Sequence, residues 1–358
     1  MSIPRLGRVT LLAGKNAVGK TTVLEAVRVF ASRGEHEVLS DLLTGRDEVS
    51  IAEDEDGVSR SEPDWPALFH GRNLTSGTRF AIRSGDRVLV VKEDRVAPEE
   101  AIRISRLFFD VGESDHVRAL RVTFDDQEWA LPLLLEHDVS GYNILSFRRS
   151  HFKRRFRSLL NQPLPPQLTC NSLGPGILTN ADLARFWDTV APTSDDERAT
   201  RALRLVLGEG VERVLVVGNG TIAHRGTRQA VVKLLNSNRS VPLKSFGDGA
   251  LRFYGVALAL AYSNNGVLLM DEVENGIHHS LQEDYWRMVL QAALHNNVQV
   301  LATTHSWDCV RGFAREAAAN DGVEGVLIRL DRDNRGIRAI EYSEEELAVA
   351  ARQNIEVR

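Results

Sequence analysis

Cysteine is scarce in this chain: Cys170 and Cys309 are the two among its 358 residues. Two isolated cysteines exclude a disulfide framework, and they lack the paired spacing of a zinc site. We interpret them as packed thiols of a protein that folds in a reducing compartment. Cysteine usage therefore predicts a cytoplasmic protein.

Long hydrophobic runs are also missing. The longest apolar stretch, residues 255–270, is interrupted by the polar segment 262–266, and no secretory apolar segment precedes residue 9. We predict that the chain neither crosses a membrane nor leaves the cell. Hydrophobic residues still make up 43% of the chain, which is ample for packed cores, and the length is that of about two domains.

An excess of positive charge is absent as well, because 44 Lys and Arg residues stand against 49 Asp and Glu residues and give a net charge of -5. This balance excludes the overall basic field of a non-specific duplex-binding protein. A basic cluster with interleaved aromatic residues is the local exception. A nucleic-acid or phosphate surface is one interpretation, and a solvated helix face with inward phenylalanines is the other, which we favour. The cluster consists of Phe147, Arg148, Arg149, Phe152, Lys153, Arg154, Arg155, Phe156 and Arg157.

Residues 14–21 read Gly-Lys-Asn-Ala-Val-Gly-Lys-Thr and fit G-x-x-x-x-G-K-[ST] at every fixed position. A strand pattern at residues 9–13 and a helix pattern at residues 22–27 flank them in the order that a phosphate-binding loop requires. In such a loop the backbone N–H groups surround the phosphates, Lys20 reaches the β- and γ-phosphates, and the Thr21 hydroxyl holds Mg²⁺. The predicted nucleotide-binding residues here are Gly14, Asn16, Ala17, Val18, Gly19, Lys20, Thr21 and Thr22.

Two carboxylates follow a second apolar run. Residues 266–270 read Gly-Val-Leu-Leu-Met, which predicts a buried parallel strand, and Asp271 and Glu272 come directly after it. At the carboxyl end of that strand, Asp271 would belong to the Mg²⁺ shell and Glu272 would orient the attacking water. A strand end that leads into an acidic turn is the plain alternative, which the upstream phosphate loop disfavours.

A histidine ends a third apolar run. Residues 298–304 predict another buried strand, and His305 follows it. An imidazole at a strand end can donate to a phosphate oxygen, so we predict that His305 senses the γ-phosphate. A purely structural histidine is the alternative.

A second loop of small residues, Ser-Phe-Gly-Asp-Gly at 245–249, precedes a predicted helix over residues 250–261. The N–H groups at such a helix start could bind phosphate. Since one subunit has no use for two phosphate loops, we predict that this loop closes over nucleotide held by a second copy of the chain. A plain helix cap by Ser245 or Asp248 agrees equally well with this segment.

These four elements, in this order, resemble those of the ABC-type P-loop ATPases. The pattern Gly-x-Asn-x-x-Gly-Lys-Thr looks like the loop of the SMC and RecF branch and of the OLD-like AAA proteins, the AAA_15 and AAA_21 families. The resemblance covers residues 8–30 and 241–310. It implies Walker A roles for Lys20 and Thr21, Walker B roles for Asp271 and Glu272, a signature loop at residues 245–249 with Ser245 and Gly247, and a switch role for His305.

The resemblance implies an α/β P-loop NTPase fold of the ABC-ATPase type with an antiparallel β subdomain and a helical insertion. We expect the ATPase core at residues 1–75 and 236–320, the β subdomain at 76–140, the mainly helical insertion at 141–235, and a C-terminal hairpin with a helix at 321–358. Nothing in this layout has room for the TOPRIM domain of OLD nucleases. The D-x-D triplet at 331–333 is interpreted as part of a hairpin turn.

Local patterns predict the elements within these segments. We interpret the acidic segment 47–64 as a solvated loop. Helices are predicted over residues 147–160 and 180–207, the second broken near Pro192, and Ser343 with Glu346 caps a short last helix. Strands are predicted at residues 79–83, 87–92, 102–111, 117–124, 129–133, 211–217, 230–235, 326–330 and 336–342.

By the same resemblance the protein hydrolyses ATP with Mg²⁺ and forms a homodimer when ATP binds. Because the chain has a full set of ATP-site motifs and no recognisable output domain, we predict that dimerisation controls a separate effector. The resemblance implies a nuclease encoded nearby, acting in bacterial genome defence. The alternative is a RecF-like DNA clamp gated by ATP, for which the basic cluster is the support. A transporter motor is a third hypothesis, disfavoured by the type of signature loop.

Overall fold

The chain folds into two units in the computed structural model, one formed by Met1–Leu24 with Thr169–Arg358 and the other by Glu25–Leu168. Residues 1–53, 59–96, 117–133, 168–218 and 228–343 are described, except positions 177, 236, 238, 321 and 335, together with residues 346, 347 and 349. The strand predicted at 102–111, the helix predicted at 147–160 and the basic cluster lie outside the described residues. Within them, no helix has the length and apolar character needed to span a bilayer.

A six-stranded sheet forms the centre of the first unit. Across the sheet the strands follow the order β15 (Gly336–Tyr342), β14 (Gly325–Asp333), β1 (Val9–Ala13), β13 (Gln299–Thr304), β12 (Val267–Met270) and β8 (Cys170–Leu173). All pairings are parallel except that of β14 with β15. Every residue of β1 and β12 is buried, as expected for parallel strands covered on both faces. The apolar runs therefore predicted these two strands correctly.

Helices complete the core of the first unit. The one that starts after the signature loop, α5 (Asp248–Tyr262), is buried continuously from Ala250 to Leu260, which is the pattern of a helix surrounded by protein. It packs against α4 (Asp195–Leu207), α3 (Asn180–Val190) and α6 (Gln282–His295). The helix α7 (Trp307–Ala319) follows β13, and α1 (Lys20–Ala31) follows β1.

The region between β8 and α5 contains the predicted helix break. Helix α3 ends at Val190 and α4 begins at Asp195, so the chain breaks around Pro192 as predicted. Thr179 and Asp182 form a reciprocal capping box at the start of α3. Three antiparallel strands follow α4, namely β9 (Val211–Gly218), β10 (Arg228–Leu234) and β11 (Ser240–Pro242).

The second unit contains a four-stranded antiparallel sheet, which confirms the predicted β subdomain. Its strands run in sequence order as β4 (Arg79–Ser84), β5 (Arg87–Val96), β6 (Val117–Phe124) and β7 (Gln127–Pro132). A hydrophobic cluster of its own joins this sheet to α2 (His36–Thr44) and includes Leu39, Leu43, Leu89, Leu120 and Val122.

Two sequence predictions need correction. The acidic segment 47–64 is not only a solvated loop, because it contains the paired strands β2 (Val49–Glu53) and β3 (Ser59–Pro63). Alternation of short polar and apolar residues was too weak there to indicate a hairpin. Strand β8 was not predicted at all, because its sequence Cys-Asn-Ser-Leu contains no apolar run. It forms a strand through its pairing with β12.

The C-terminal predictions hold where residues are described. Strands β14 and β15 pair up to Asp333 and Gly336, so the D-x-D triplet lies in a hairpin. Ser343 and Glu346 exchange the two hydrogen bonds of a capping box.

Candidate functional site

The phosphate-binding loop connects the end of β1 at Ala13 with the start of α1 at Lys20. Gly14 has φ 147° and Gly19 has φ 93°, values that glycine adopts at little cost. A Cβ atom on Gly14 would lie 2.6 Å from the Leu330 carbonyl oxygen, so the close approach of β14 requires glycine there. Ala17, at φ 60°, holds a left-handed conformation without that freedom, which costs on the order of 1 kcal/mol.

The side chains of the loop divide between anchoring and exposure. Val18 is buried and would contact a Cβ on Gly14, so it anchors the loop to the sheet. Asn16 and Ala17 are exposed at the outer part of the loop, and Thr21 and Thr22 are exposed at the first turn of α1. The Asn16 amide and the two threonine hydroxyls therefore face solvent, while Val18 holds the loop.

Lys20 folds back over this loop. Its Nζ donates to the carbonyl oxygens of Gly14 at 2.7 Å and of Lys15 at 3.0 Å, and the residue is 9% exposed. Burial lowers the pKa of Lys20, and the negative charges of Glu274, Asp271 and Glu272 oppose that shift. The ammonium group thus lies inside the loop with three carboxylates near it.

A short series of hydrogen bonds joins the loop to the acids after β12. Thr21 Oγ1 donates to Asp271 Oδ2 at 3.0 Å, and Thr303 Oγ1 donates to Asp271 Oδ1. The sheet order explains this contact, because β13 lies between β1 and β12 and its last residues reach the same edge. Sequence reasoning missed Thr303, although two threonines ending an apolar strand were the available signal.

Glu272 has an unusual backbone for a non-glycine residue, with φ 45°. Its N–H donates to Thr303 Oγ1 at 2.9 Å, and its Oε2 accepts from Asn275 Nδ2 at 2.9 Å. Asn275 in turn donates to the Pro175 carbonyl oxygen at 3.2 Å. Neighbouring groups therefore hold both the strained backbone and the carboxylate of Glu272.

His305 follows β13, as predicted, and contacts a carboxylate that the sequence did not indicate. Its backbone N–H donates to Glu274 Oε1 at 2.8 Å, and its Nδ1 lies 3.1 Å from the same oxygen. Glu274 stands two residues after Glu272 in the sequence. The segment from Asp271 to Glu274 thus contacts both Thr21 and His305.

The signature loop has a different environment. Ser245 lies in a 3-10 turn, Leu243–Phe246, and Gly247 is the N-cap residue of α5 with φ 91°; both residues are exposed. No side chain caps α5 among the described residues, so the alternative of a plain cap by Ser245 or Asp248 is wrong. The helix start packs on the turn after Walker B, because a Cβ on Gly249 would lie 2.9 Å from the Gly276 carbonyl oxygen.

Arg252 connects α5 with the Walker B strand. It is 4% exposed, and its guanidinium donates to the carbonyl oxygens of Gly174 and Gly176, each at 3.0 Å, and of Asp271 at 3.2 Å. The buried cation thus satisfies three backbone acceptors at the edge of the sheet. The sequence pattern did not indicate this residue.

The structure therefore brings together Lys20, Thr21, Asp271 and Glu272, with His305 attached through Glu274. This donor set fits a Mg²⁺ nucleotide, because a hydroxyl and a carboxylate are hard oxygen ligands and the glycine loop offers backbone N–H groups. Within the described part of one chain, no side-chain hydrogen bond or ion pair joins Ser245 or Gly247 to these residues, and a Cβ on Gly247 would have no neighbour within 4 Å. The arrangement can bind a triphosphate and activate water beside it.

Two relatives match part of this chain. The chain is 36% identical over 91 residues to the uncharacterized protein MJECL11 of Methanocaldococcus jannaschii, a match that covers 25% of this chain and 79% of that protein. It is 30% identical over 92 residues to an ATP/GTP phosphatase of Helicobacter pylori and spans only 25% of that protein's length.

Among solved structures, the chain is similar to the crystal structure of the SmcHead bound to the C-winged helix domain of ScpA. The TM-score is 0.42 and the identity 11%, over 96% of this chain and 92% of that one.

The sequence profile of one family, described as "AAA domain, putative AbiEii toxin, Type IV TA system", matches residues 9–308. That range contains the phosphate loop, the signature loop, both acids and His305. The chain belongs to this family, AAA_21, and is an AAA-type P-loop ATPase.

Proposed function

We propose that this protein is an ATP-hydrolysing switch whose two copies close on Mg²⁺ and ATP and, once closed, control a separate effector. The observation that carries the proposal is the hydrogen-bonded series from Thr21 through Asp271 to Thr303 and Glu272. It brings a phosphate loop, a metal-binding carboxylate and a water-activating carboxylate into one connected site.

Residues of one chain would bind the nucleotide. The N–H groups of residues 14–22 would surround the phosphates, with Asn16 facing the β- and γ-phosphates, and Lys20 would leave its two carbonyl partners to meet phosphate oxygens. Thr21 and Asp271 would hold Mg²⁺, whose chemistry here is to neutralise charge on the phosphates. Among the described residues no cluster of three His, Cys, Asp or Glu side chains forms a metal site, so phosphates and water would supply the other Mg²⁺ ligands.

Hydrolysis requires a water aligned with the γ-phosphate. Glu272 would accept a proton from that water, and the anchoring of its carboxylate by Asn275 supports such a fixed orientation. His305 would donate to the γ-phosphate, and Lys20 would stabilise the charge that develops there. Each role is a proposal for a residue whose position the fold has already restricted.

The second half of the site would come from another copy of the chain. Ser245 is exposed, and the left-handed Gly247 opens the start of α5 toward solvent. A helix start with free N–H groups favours an anionic ligand. We therefore propose that the signature loop of each chain covers the nucleotide on the other, so that ATP binding drives homodimerisation.

The proposed setting in bacterial defence is supported by the family description. The family description names a putative toxin of a type IV toxin–antitoxin system, and a relative is named an ATP/GTP phosphatase. The phosphatase name agrees with nucleotide hydrolysis, and the toxin–antitoxin description agrees with a defence setting. Following the resemblance to OLD-like ATPases, we propose that the effector is a separately encoded nuclease in the cytoplasm. Purification of the native complex from cells would identify it.

The test is ATP turnover as a function of protein concentration, for wild type and Glu272→Gln. We expect specific activity to rise with concentration in the wild type, because the site needs two chains. Glu272→Gln should bind ATP, form a stable dimer and hydrolyse about 100-fold more slowly. Glu283→Gln, which alters an exposed carboxylate paired with Arg315, is the matched control. Concentration-independent turnover, or normal hydrolysis by Glu272→Gln, refutes the proposal.

The DNA-clamp alternative depends on the basic cluster, which lies outside the described residues. It stays a prediction. Its test is ATP-dependent, salt-sensitive DNA binding that is lost when Arg148, Arg149, Arg154 and Arg155 are changed to alanine.

A further inference from the structure

Glu274 carries a buried carboxylate to which the proposed reaction gives no task. Its side chain is 9% exposed, whereas that of His305 is 45% exposed. Oε1 accepts from the His305 backbone N–H at 2.8 Å and lies 3.1 Å from the ring Nδ1. One buried oxygen therefore holds both the backbone and the ring of a residue that faces solvent.

The other oxygen of this carboxylate is poorly accommodated. Glu274 Oε2 is buried and has no hydrogen-bond partner among the described residues. Its neighbours include Tyr285 and Cys309, and burial raises the pKa of both, that of Cys309 to about 12, so both are neutral at physiological pH. A buried carboxylate oxygen without a donor costs stability. The unpaired oxygen therefore carries an energetic cost at this position.

A second glutamate in the same unit shows the usual arrangement. The Glu316 side chain is 8% exposed, and Arg287 donates to both of its oxygens, at 2.7 and 3.1 Å. Two glutamates of equal burial thus differ in pairing. The Glu316 carboxylate has a partner at both oxygens, as in an ion pair that stabilises a fold. The Glu274 carboxylate has a partner at one oxygen, and that partner is His305. This contrast points to a functional reason for Glu274.

We propose that Glu274 is a positioning residue that fixes the ring of His305 for contact with the γ-phosphate. When Nδ1 of His305 donates to Glu274, Nε2 is the ring nitrogen left to contact a phosphate oxygen. The carboxylate therefore determines which ring nitrogen faces the nucleotide. Fixing the loop backbone at the same time holds the ring at a constant distance. The inference rests on the proposed function, in which His305 contacts nucleotide.

The kinetic test compares Glu274→Ala and Glu274→Gln with wild type, each alone and with His305→Ala. We expect Glu274→Ala to lower kcat about 30-fold, because a misplaced group of this kind costs one to two orders of magnitude, with KM for ATP nearly unchanged. Glu274→Gln should recover much of the loss, since its amide oxygen can accept the same two hydrogen bonds. With His305→Ala present, neither change should lower kcat further.

A stability measurement separates positioning from a structural role, with Glu316→Gln as the matched control. Thermal unfolding of Glu274→Gln should occur at or above the wild-type temperature, because it removes a buried charge with an unpaired oxygen. Glu316→Gln should unfold at a lower temperature and keep wild-type kcat. Unchanged kcat in Glu274→Ala, or an equal loss with and without His305, overturns the inference.

A spectroscopic experiment tests the same inference without measuring turnover. Ring ¹⁵N NMR, with the His305 signals assigned from their disappearance in His305→Ala, should show Nδ1 protonated in the wild type. In Glu274→Ala the proton should be shared with Nε2. Identical ring signals in the two proteins refute the positioning role. Absence of Glu272-dependent turnover in the wild type refutes the proposed function instead, so the two failures are distinguishable.

Discussion

The phosphate loop with the Walker B acids, called the inner region below, and the signature loop, called the outer region, belong to the same unit. The two regions differ in how their side chains are held. Asp271 and Glu272 are held by Thr21, Thr303 and Asn275, and each hydrogen bond stays within the chain. Ser245 and Gly247 are exposed, and among the described residues the Ser245 side chain makes no hydrogen bond. Groups that are pre-organised inside a chain can act on a bound ligand directly. Groups that face solvent can act only on a ligand or a second chain that binds to that surface.

One buried residue links the two regions. Arg252 belongs to α5, the helix that starts at the signature loop, and it donates to the carbonyl oxygen of Asp271. The turn at Gly276 also lies against the start of the same helix. A displacement of α5 would therefore reach the residue proposed to hold Mg²⁺. Under the proposed function, closure by a second chain would be connected to the hydrolysis site through these contacts.

The largest expected effect is on the inner region, with Lys20→Ala. The ammonium group is buried in the loop and has no substitute there, so we expect ATP affinity and kcat/KM to fall by about 1,000-fold or more. Calorimetric titration with ATP and steady-state turnover measure the two losses. Lys233→Ala removes a lysine that is ion-paired with Glu212 far along the chain, and both quantities should stay within about twofold of wild type.

The outer region should respond differently, with Ser245→Arg. A long cation on the exposed turn should block approach of a second chain, and we expect about 100-fold slower turnover with ATP affinity of the single chain unchanged. Light scattering with ATP should show monomers. Ser240→Arg, at another exposed serine nearby in the sequence, is the control and should dimerise normally. Loss of ATP affinity in Ser245→Arg would mean that the signature loop serves the nucleotide of its own chain.

The sequence predicted the fold where patterns are local. Residues 9–13 are apolar except for Thr10, residues 267–270 are apolar throughout, and such runs mark buried parallel strands without further information. The four strands of the antiparallel sheet β4–β7 alternate and were identified within a few residues. Strand β8 could not be found, because its short polar sequence becomes a strand only through pairing with β12. The β2–β3 hairpin was missed for a similar reason, because its two short strands are recognisable only from their pairing with each other.

The candidate site divides in the same way. Motif spacing indicated Lys20, Thr21, Asp271 and Glu272, because the chemistry of phosphate and metal limits which residues can stand there. Arg252, Thr303 and Glu274 were missed, since each acts on another protein group and not on the ligand. Such supporting residues depend on three-dimensional contacts, and a single sequence carries no period or spacing for them.

The smallest expected effect tests whether the inner region needs its internal hydrogen bonds. Thr303→Val removes the hydroxyl that donates to Asp271 and accepts from the Glu272 N–H, and leaves the volume nearly unchanged. Both acids would lose one anchor, so we expect kcat to fall about tenfold, with about 1–2 kcal/mol lost from the free energy of unfolding. Thr10→Val on the neighbouring strand removes a hydroxyl that accepts from the Gly7 N–H at 3.0 Å.

Thr10 is fully buried, as Thr303 is, so the two substitutions should destabilise the chain to a similar degree. Urea unfolding measures that loss, and steady-state turnover measures kcat. If both variants lose stability and only Thr303→Val is slower, the hydroxyl of Thr303 acts on the acids and not merely on the fold. Equal kcat values in the two variants would instead mean that the strand ends alone orient Asp271 and Glu272. The inner region would then be no more pre-organised than the signature loop.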